Sequence, residues 1–311
     1  MAIVSATPKT RTTNPGVAGS VLEAARTLAG IIKADHILVV AHSDIDEQWL
    51  SETVPGQAVV LAVESKRRAT VYEREGYKTL EHRSPPLDRF SRIAHAILSA
   101  ISAGLIEYRA LVVSVTGPIG GDAFDSITVT RTTALFRELT VLEQETGRKS
   151  HLLPVIKATL DIALELGAFG IEGRPVGTMF VIGDTASVLK LSRQGMFNPF
   201  KGYEDKYKNI LDPALRGTVR EFSQIDGAFI VRDDGVISAG GRLLLMPKGT
   251  APILKGMGAR HNSAAFITKE TDSIAVVVSQ TTGSVTLISK GRILFTLNPA
   301  SRTASALYPH E

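Results

Sequence analysis

The sequence predicts an α/β protein in two units: an N-terminal α/β unit built on a parallel sheet, then an α/β unit built on a mixed sheet. Three observations carry this. In the first half, short Val/Ile-rich runs alternate with helical patterns, as expected of a parallel sheet covered by helices. In the second half, strand-length runs are joined by tight turns, which suits antiparallel pairing. Between them, residues 132–150 are polar and read as a connecting helix, with the boundary near residue 145.

Taken in order, residues 1–20 are rich in Thr, Pro, Ala and Gly, lack the apolar stretch of a signal peptide, and read as a flexible leader. Val21 to Lys33 has apolar residues at helical spacing, with Ser20 as its cap. His36 to Ala41, Gln57 to Val63, Ala110 to Thr116 and Ser126 to Thr130 read as strands. Leu87 to Gly104 is an amphipathic helix that starts after Pro85-Pro86 and ends on glycine. His151 to Gly167 repeats that pattern. Thr178 to Gly183, Ala228 to Val231, Val236 to Ala239, Ile274 to Ser279, Ser284 to Ser289 and Ile293 to Leu297 are the strands of the second unit. Helices at 151–167, 212–222 and 258–270 pack around them.

Composition excludes several classes. At 311 residues and 44% hydrophobic, the chain can bury a sizeable core. The net charge of +4 is small and scattered, so nucleic acid is not an expected partner. The absence of Cys removes disulfides and thiolate metal sites. The longest apolar candidate, Ile93 to Leu105, is interrupted by His95, Ser99 and Ser102 and falls short of the roughly 18 residues of a membrane span. The expectation is a soluble, cytoplasmic protein with no membrane partner.

Chemistry concentrates in the second half. Asp226-Gly227-Ala228 puts an acid on a glycine turn ahead of a strand. Alone it is a common turn dipeptide; the acid is also suited to a divalent ion or a proton, and the glycine to close backbone approach. Lys255-Gly256-Met257-Gly258-Ala259-Arg260-His261-Asn262-Ser263 leads into a helix, whose N-terminus attracts anions. Arg260 is a forked phosphate donor and His261 a donor of adjustable charge. Ser263 can bond a further oxygen or cap the helix. Ser279 to Gly283 ends a strand with hydroxyls and an amide, fit for a ribose or phosphate and equally for a hairpin turn. Leu243-Leu244-Leu245-Met246-Pro247 is an apolar wall, more often core than a base pocket.

The order of these segments resembles the diadenylate cyclase domain: Asp-Gly-Ala and a strand, an apolar Leu-x-Pro segment, Gly-x-Arg-His before a helix, then a strand ending Ser-x-x-Thr-Gly. Val176 to Asp184 and Asn198-Pro199-Phe200-Lys201-Gly202-Tyr203 look like that domain's entry strand and loop in its archaeal-type members. The resemblance spans about residues 150–297 and makes 146–311 the cyclase domain. Residues 21–145 then correspond to the α/β domain of archaeal-type members, which is similar to the C-terminal domain of pyruvate kinase. Val112 to Thr116 with Gly121-Asp122 and Asp125 to Val129 carries that looser match. Two departures stand out. Most of the family reads Gly-Thr-Arg-His-Arg, whereas this chain has Ala259 and Asn262 at the Thr and second Arg. One lost charge-assisted bond is worth about 1–2 kcal/mol. The family's Glu-Glu-Thr-Gly is Gln280-Thr281-Thr282-Gly283 here.

The resemblance implies that two ATP are condensed into cyclic di-AMP and two pyrophosphates, with Mn²⁺ or Mg²⁺. It places Gly227, Ala228, Leu245, Gly258, Ala259, Arg260, His261, Asn262, Ser263 and Ser279 against ATP. Asp226, Arg260 and His261 are the catalytic set, and Asp226 is also the metal ligand. Each subunit holds one ATP, so a homo-oligomer with facing sites is required. A nucleotide-binding regulator of the same fold that has lost the chemistry is the alternative; a sugar-phosphate transferase seated in the first half is a weaker one, because that half has no Gly-x-Gly-x-x-Gly or P-loop lysine. Gly120-Gly121-Asp122-Ala123-Phe124 looks like a diguanylate cyclase signature but lacks its hairpin and reads as a loop.

Overall fold

The computed structural model describes residues 16–41, 45, 50, 59–83, 85–118, 124–133, 152–247 and 253–299. The expected boundary near 145, most of the connecting helix, residues 1–15 of the leader and Gly120-Gly121-Asp122 lie outside the described residues.

The first unit runs α1 (Gly16–Ile32), β1 (His36–Ala41), β2 (Val59–Val63), α2 (Lys66–Arg74), β3 (Lys78–Glu81), α3 (Arg89–Ser102), β4 (Leu111–Thr116) and β5 (Ser126–Arg131). Its sheet has the order β3-β2-β1-β4-β5. The first three pairings are parallel, as expected. β5 pairs antiparallel with β4, so the edge is mixed. The chain between Thr116 and Ser126 is too short for a crossover, which takes a dozen residues or more. α1 already includes residues 16–20, so Ser20 lies within the helix rather than capping it. β1 and β2 are buried along their whole length, which is why they read as unbroken apolar runs.

The second unit runs α4 (Leu152–Phe169), β6 (Met179–Ile182), α5 (Thr185–Lys190), β7 (Ser192–Gln194), α6 (Arg216–Phe222), β8 (Ala228–Val231), β9 (Ile237–Leu244), α7 (Ala259–Glu270), β10 (Ile274–Val278), β11 (Val285–Ser289) and β12 (Arg292–Leu297). Seven strands form one sheet in the order β12-β11-β10-β6-β8-β9-β7. Only β6 and β8 run parallel; the other pairings are antiparallel. The mixed sheet is therefore as the turns foretold. α4 covers one face, where Leu160 and Leu164 join Phe180 and Val276; α7 covers the other, where Ala264 and Ile267 join Val181 and Val277.

The two sheets do not keep wholly separate cores. One continuous apolar cluster contains Leu38 and Ile97 from the first unit with Val155, Phe180 and Leu287 from the second. Polar ties fix the seam. Asp88 N donates to Asn298 O at 3.0 Å, and Asn298 N donates to Ser91 Oγ at 2.8 Å. Fully buried His95 on α3 meets Asp161 of α4 at 2.8 Å. Among the described residues, no helix is long and apolar enough to cross a membrane.

Candidate functional site

The site forms where the N-terminal ends of β8 and α7 come together. Gly227, immediately before β8, has φ +105, and a Cβ there would lie 2.6 Å from Gly241 C and 2.8 Å from Arg242 N of β9. No other residue fits this turn without moving the neighbouring strand. The turn leaves the Asp226 carboxylate 76% exposed, with Gly227 N donating to its Oδ1 at 3.0 Å. Opposite stands Arg260, in the first turn of α7, with Nη2 3.9 Å from Asp226 Oδ1. The acid and the arginine of the sequence analysis are thus brought together.

α7 begins at Gly258, which supplies no side-chain cap. The helix has no acidic residue in its first turn. Its leading N–H groups and dipole therefore present positive potential where Arg260 sits. Arg260 Nη1 also donates to Gln280 Oε1 at 3.4 Å, just after β10. Gly177 packs beneath this pair: a Cβ there would lie 2.7 Å from Arg260 Nη1 and 2.8 Å from Gln280 Cβ. Gly177 is thus a site residue that the sequence marked only as part of an entry strand. Its role is visible only once three distant segments meet.

His261 is buried, and burial pushes its imidazole below the usual range. At neutral pH it is therefore an uncharged donor and acceptor rather than a second cation beside Arg260. Asn262 is also buried, and its amide is engaged by backbone. Oδ1 accepts from Leu254 N at 2.9 Å, while Nδ2 donates to Met257 O at 2.9 Å, Leu254 O at 3.2 Å and Gly258 O at 3.3 Å. It shapes the loop entering α7. Ala259 is exposed at the helix start; Ser263 Oγ sits 3.6 Å from Met246 Sδ. Ala228 is fully buried in β8 and can meet a ligand only through its backbone.

Leu245 lies just past β9, its N donating to Leu191 O at 2.9 Å, with 44% of its surface exposed. Ser279 Oγ accepts from Thr282 N at 3.3 Å, so its hydroxyl serves the turn after β10. Arg242, absent from the expected set, has a structural task. Its Nη2 donates to Leu189 O at 2.8 Å and Ser192 O at 2.6 Å, tying β9 to α5 and β7 beneath the Gly227 turn.

Among the described residues, no group of three or more His, Cys, Asp or Glu side chains is placed to hold a metal ion. Asp226 brings a carboxylate to the site, which suits a hard divalent ion whose remaining ligands come from phosphate.

Comparison with known proteins matches both units of the chain. Residues 165–293 match the family described as DisA bacterial checkpoint controller nucleotide-binding, and residues 18–140 match a probable sensor domain. The diadenylate cyclase of Methanocaldococcus jannaschii is 32% identical over 272 residues, covering 87% of this chain and 83% of the relative. That of Haloferax volcanii is 32% identical over 209 residues, covering 67% and 75%. A Listeria monocytogenes diadenylate cyclase is 39% identical over 69 residues, covering 22% of this chain and 24% of the relative. With relatives aligned across both units, the chain belongs to the diadenylate cyclase family.

Proposed function

We propose that the protein condenses two ATP into cyclic di-AMP and two pyrophosphates, each subunit contributing one half-site at the Asp226–Arg260 cleft. The observation that supports this best is the pairing of an exposed carboxylate with a cation at the N-terminus of α7, 3.9 Å apart. Each 3′-oxygen attacks the α-phosphorus of the other ATP, forming a phosphodiester as the bond to the leaving pyrophosphate breaks. Two bonds form, two break, and each 3′-hydroxyl loses its proton. One half-site holds only one ATP, so the reaction needs two facing copies and a monomer is inactive.

Arg260 and the first N–H groups of α7 bind the triphosphate and offset charge that builds in transfer. Asp226 stands by the 3′-hydroxyl and orients it. Neutral His261 donates one ring hydrogen to phosphate. Gly227 lets the nucleotide approach backbone, and Leu245 supplies apolar contact to the base. Ala259 and Ser263 lie along the phosphate path, while Asn262 acts through the loop it holds. Asp226 would help to hold a Mn²⁺ or Mg²⁺ ion, which would supply further charge neutralisation at the α-phosphate of the transferred adenylyl group.

Incubation with ATP and Mn²⁺ followed by mass spectrometry tests the reading. Cyclic di-AMP is the expected product. Saturable ATP binding with no product would instead assign a nucleotide-binding regulator. In Arg260→Ala, kcat/KM is expected to fall by a factor on the order of 100; an unchanged value removes Arg260 from the site.

A further inference from the structure

A cavity of about 220 Å³ opens at the seam between the two units, away from the Asp226–Arg260 cleft. Its lining includes Ser102 at the end of α3, Lys157, Ala158 and Asp161 of α4, Leu211, and Arg216 at the start of α6. The charges here are unequal. Asp161 accepts from Lys157 Nζ at 2.7 Å, His95 Nε2 at 2.8 Å and Arg216 Nη2 at 2.9 Å. Arg216 also reaches Glu165 at 3.3 Å, and Arg220 lies 3.8 Å from the same carboxylate. Three fixed cations thus share two carboxylates, before any charge on His95.

An ammonium has three hydrogens and a guanidinium five. The contacts above take one from Lys157 and two from Arg216, and both side chains line the cavity. Pockets that take drug-sized ligands run to roughly 300–1,000 Å³. This one is smaller, which suits a compact ion better than a nucleotide.

We propose that the seam cavity binds a small oxyanion, a phosphate or a carboxylate, through Lys157 and Arg216. The anion competes with Asp161 for both cations. Asp161 is the residue that His95 of α3 grips from the first unit, so occupancy of the cavity is transmitted across the seam. Binding is independent of the cyclase reading; only its effect on product formation would rest on that reading.

The test uses the full-length protein, titrated calorimetrically with inorganic phosphate and, in a second arm, with acetate. Saturable binding of one of them is expected, and the tighter one identifies the oxyanion. Affinity should fall at least tenfold in the Lys157→Met, Arg216→Met double variant. Ala158→Leu narrows the cavity while leaving every charge in place, and should weaken binding even if the double variant fails to fold. These variants are compared in an Arg260→Ala background, which removes the cleft's own phosphate binding and should keep the seam site. Hydrogen exchange in α3 should change on addition of the bound ion. Absence of saturable binding in both arms, full binding in Ala158→Leu, or complete loss of saturable binding in Arg260→Ala would overturn the assignment. Binding with no change in α3 would overturn the transmission across the seam.

Discussion

Asn262 and Leu254 close a small ring on each other: Asn262 Oδ1 accepts from Leu254 N at 2.9 Å, and its Nδ2 donates to Leu254 O at 3.2 Å. Two further bonds, to Met257 O and Gly258 O, make this side chain the brace of the loop that leads into α7. Where the resemblance expects an arginine, this chain has an amide that braces the loop. Asn262→Arg is expected to lower, not raise, apparent ATP affinity, because a longer cation has no room in a buried position and the loop loses its brace. Asn262→Ala should cost about 1–3 kcal/mol through orphaned backbone groups. Thermal melts and the KM for ATP check both. A lower KM in Asn262→Arg would show that position 262 faces the phosphates directly.

Gly177 sets where Arg260 lies. A methyl at this position would meet Arg260 Nη1 at 2.7 Å and Gln280 Cβ at 2.8 Å. The far end of Arg260 can move, but Gln280 Cβ and, at 3.2 Å, Gln280 N yield less readily, so Gly177→Ala should fold with a lowered melting temperature. Its activity should also drop by a factor on the order of 10–100, because small misplacements of a phosphate-binding group are costly in transfer chemistry. Steady-state kinetics beside a melting curve separates the two effects; unchanged kcat/KM would mean Arg260 does not act from this position.

Much of this was legible in the sequence, for physical reasons that differ by element. β1 and β10 are buried over their entire length, so their composition alone declares them. Gly258 before Arg260 announced the start of α7, and Asp226-Gly227 the turn opposite. The short edge strands β3 and β7 carry no apolar run; the neighbouring strands that pair with them create them. The antiparallel β5 departs from the expected parallel sheet, and its pattern carries no sign of direction; only the length of its connection does. Gly177 and the bonds of Asn262 were not readable, because each depends on backbone remote in sequence or on a side chain turning inward. The sequence could say that position 262 lacks a cation, but not what its amide holds.

Asp226 tests the chemistry with little disturbance of the fold. Its carboxylate is largely exposed, and its nearest cation, Arg260, lies at the margin of an ion pair at 3.9 Å. Surface substitutions of this kind change stability by about 0.5 kcal/mol or less. Asp226→Asn should thus melt with the parent yet form no cyclic di-AMP. Product formed at near-parental rate would remove Asp226 from the reaction.

Asp161 should give the seam a distinct acid dependence. Burial pushes its carboxyl up, but the hydrogen bond and charge of His95, together with Lys157, overrule burial and hold it well below the usual carboxylate range. The folded-state value therefore lies beneath the unfolded one of about 3.9. A depressed carboxylate contributes stability that is present in full above the unfolded value and is lost as pH falls toward the folded one. Urea midpoints should therefore decline from about pH 5 downward, as protonation of the unfolded chain takes hold. Asp161→Asn removes the titrating group, so its decline over that range should be shallower. At pH 7 it should be destabilised by about 3–5 kcal/mol, since His95, Lys157 and Arg216 lose the charge that compensates them. Parallel acid limbs in the two proteins would show that the His95–Asp161 tie does not carry the seam.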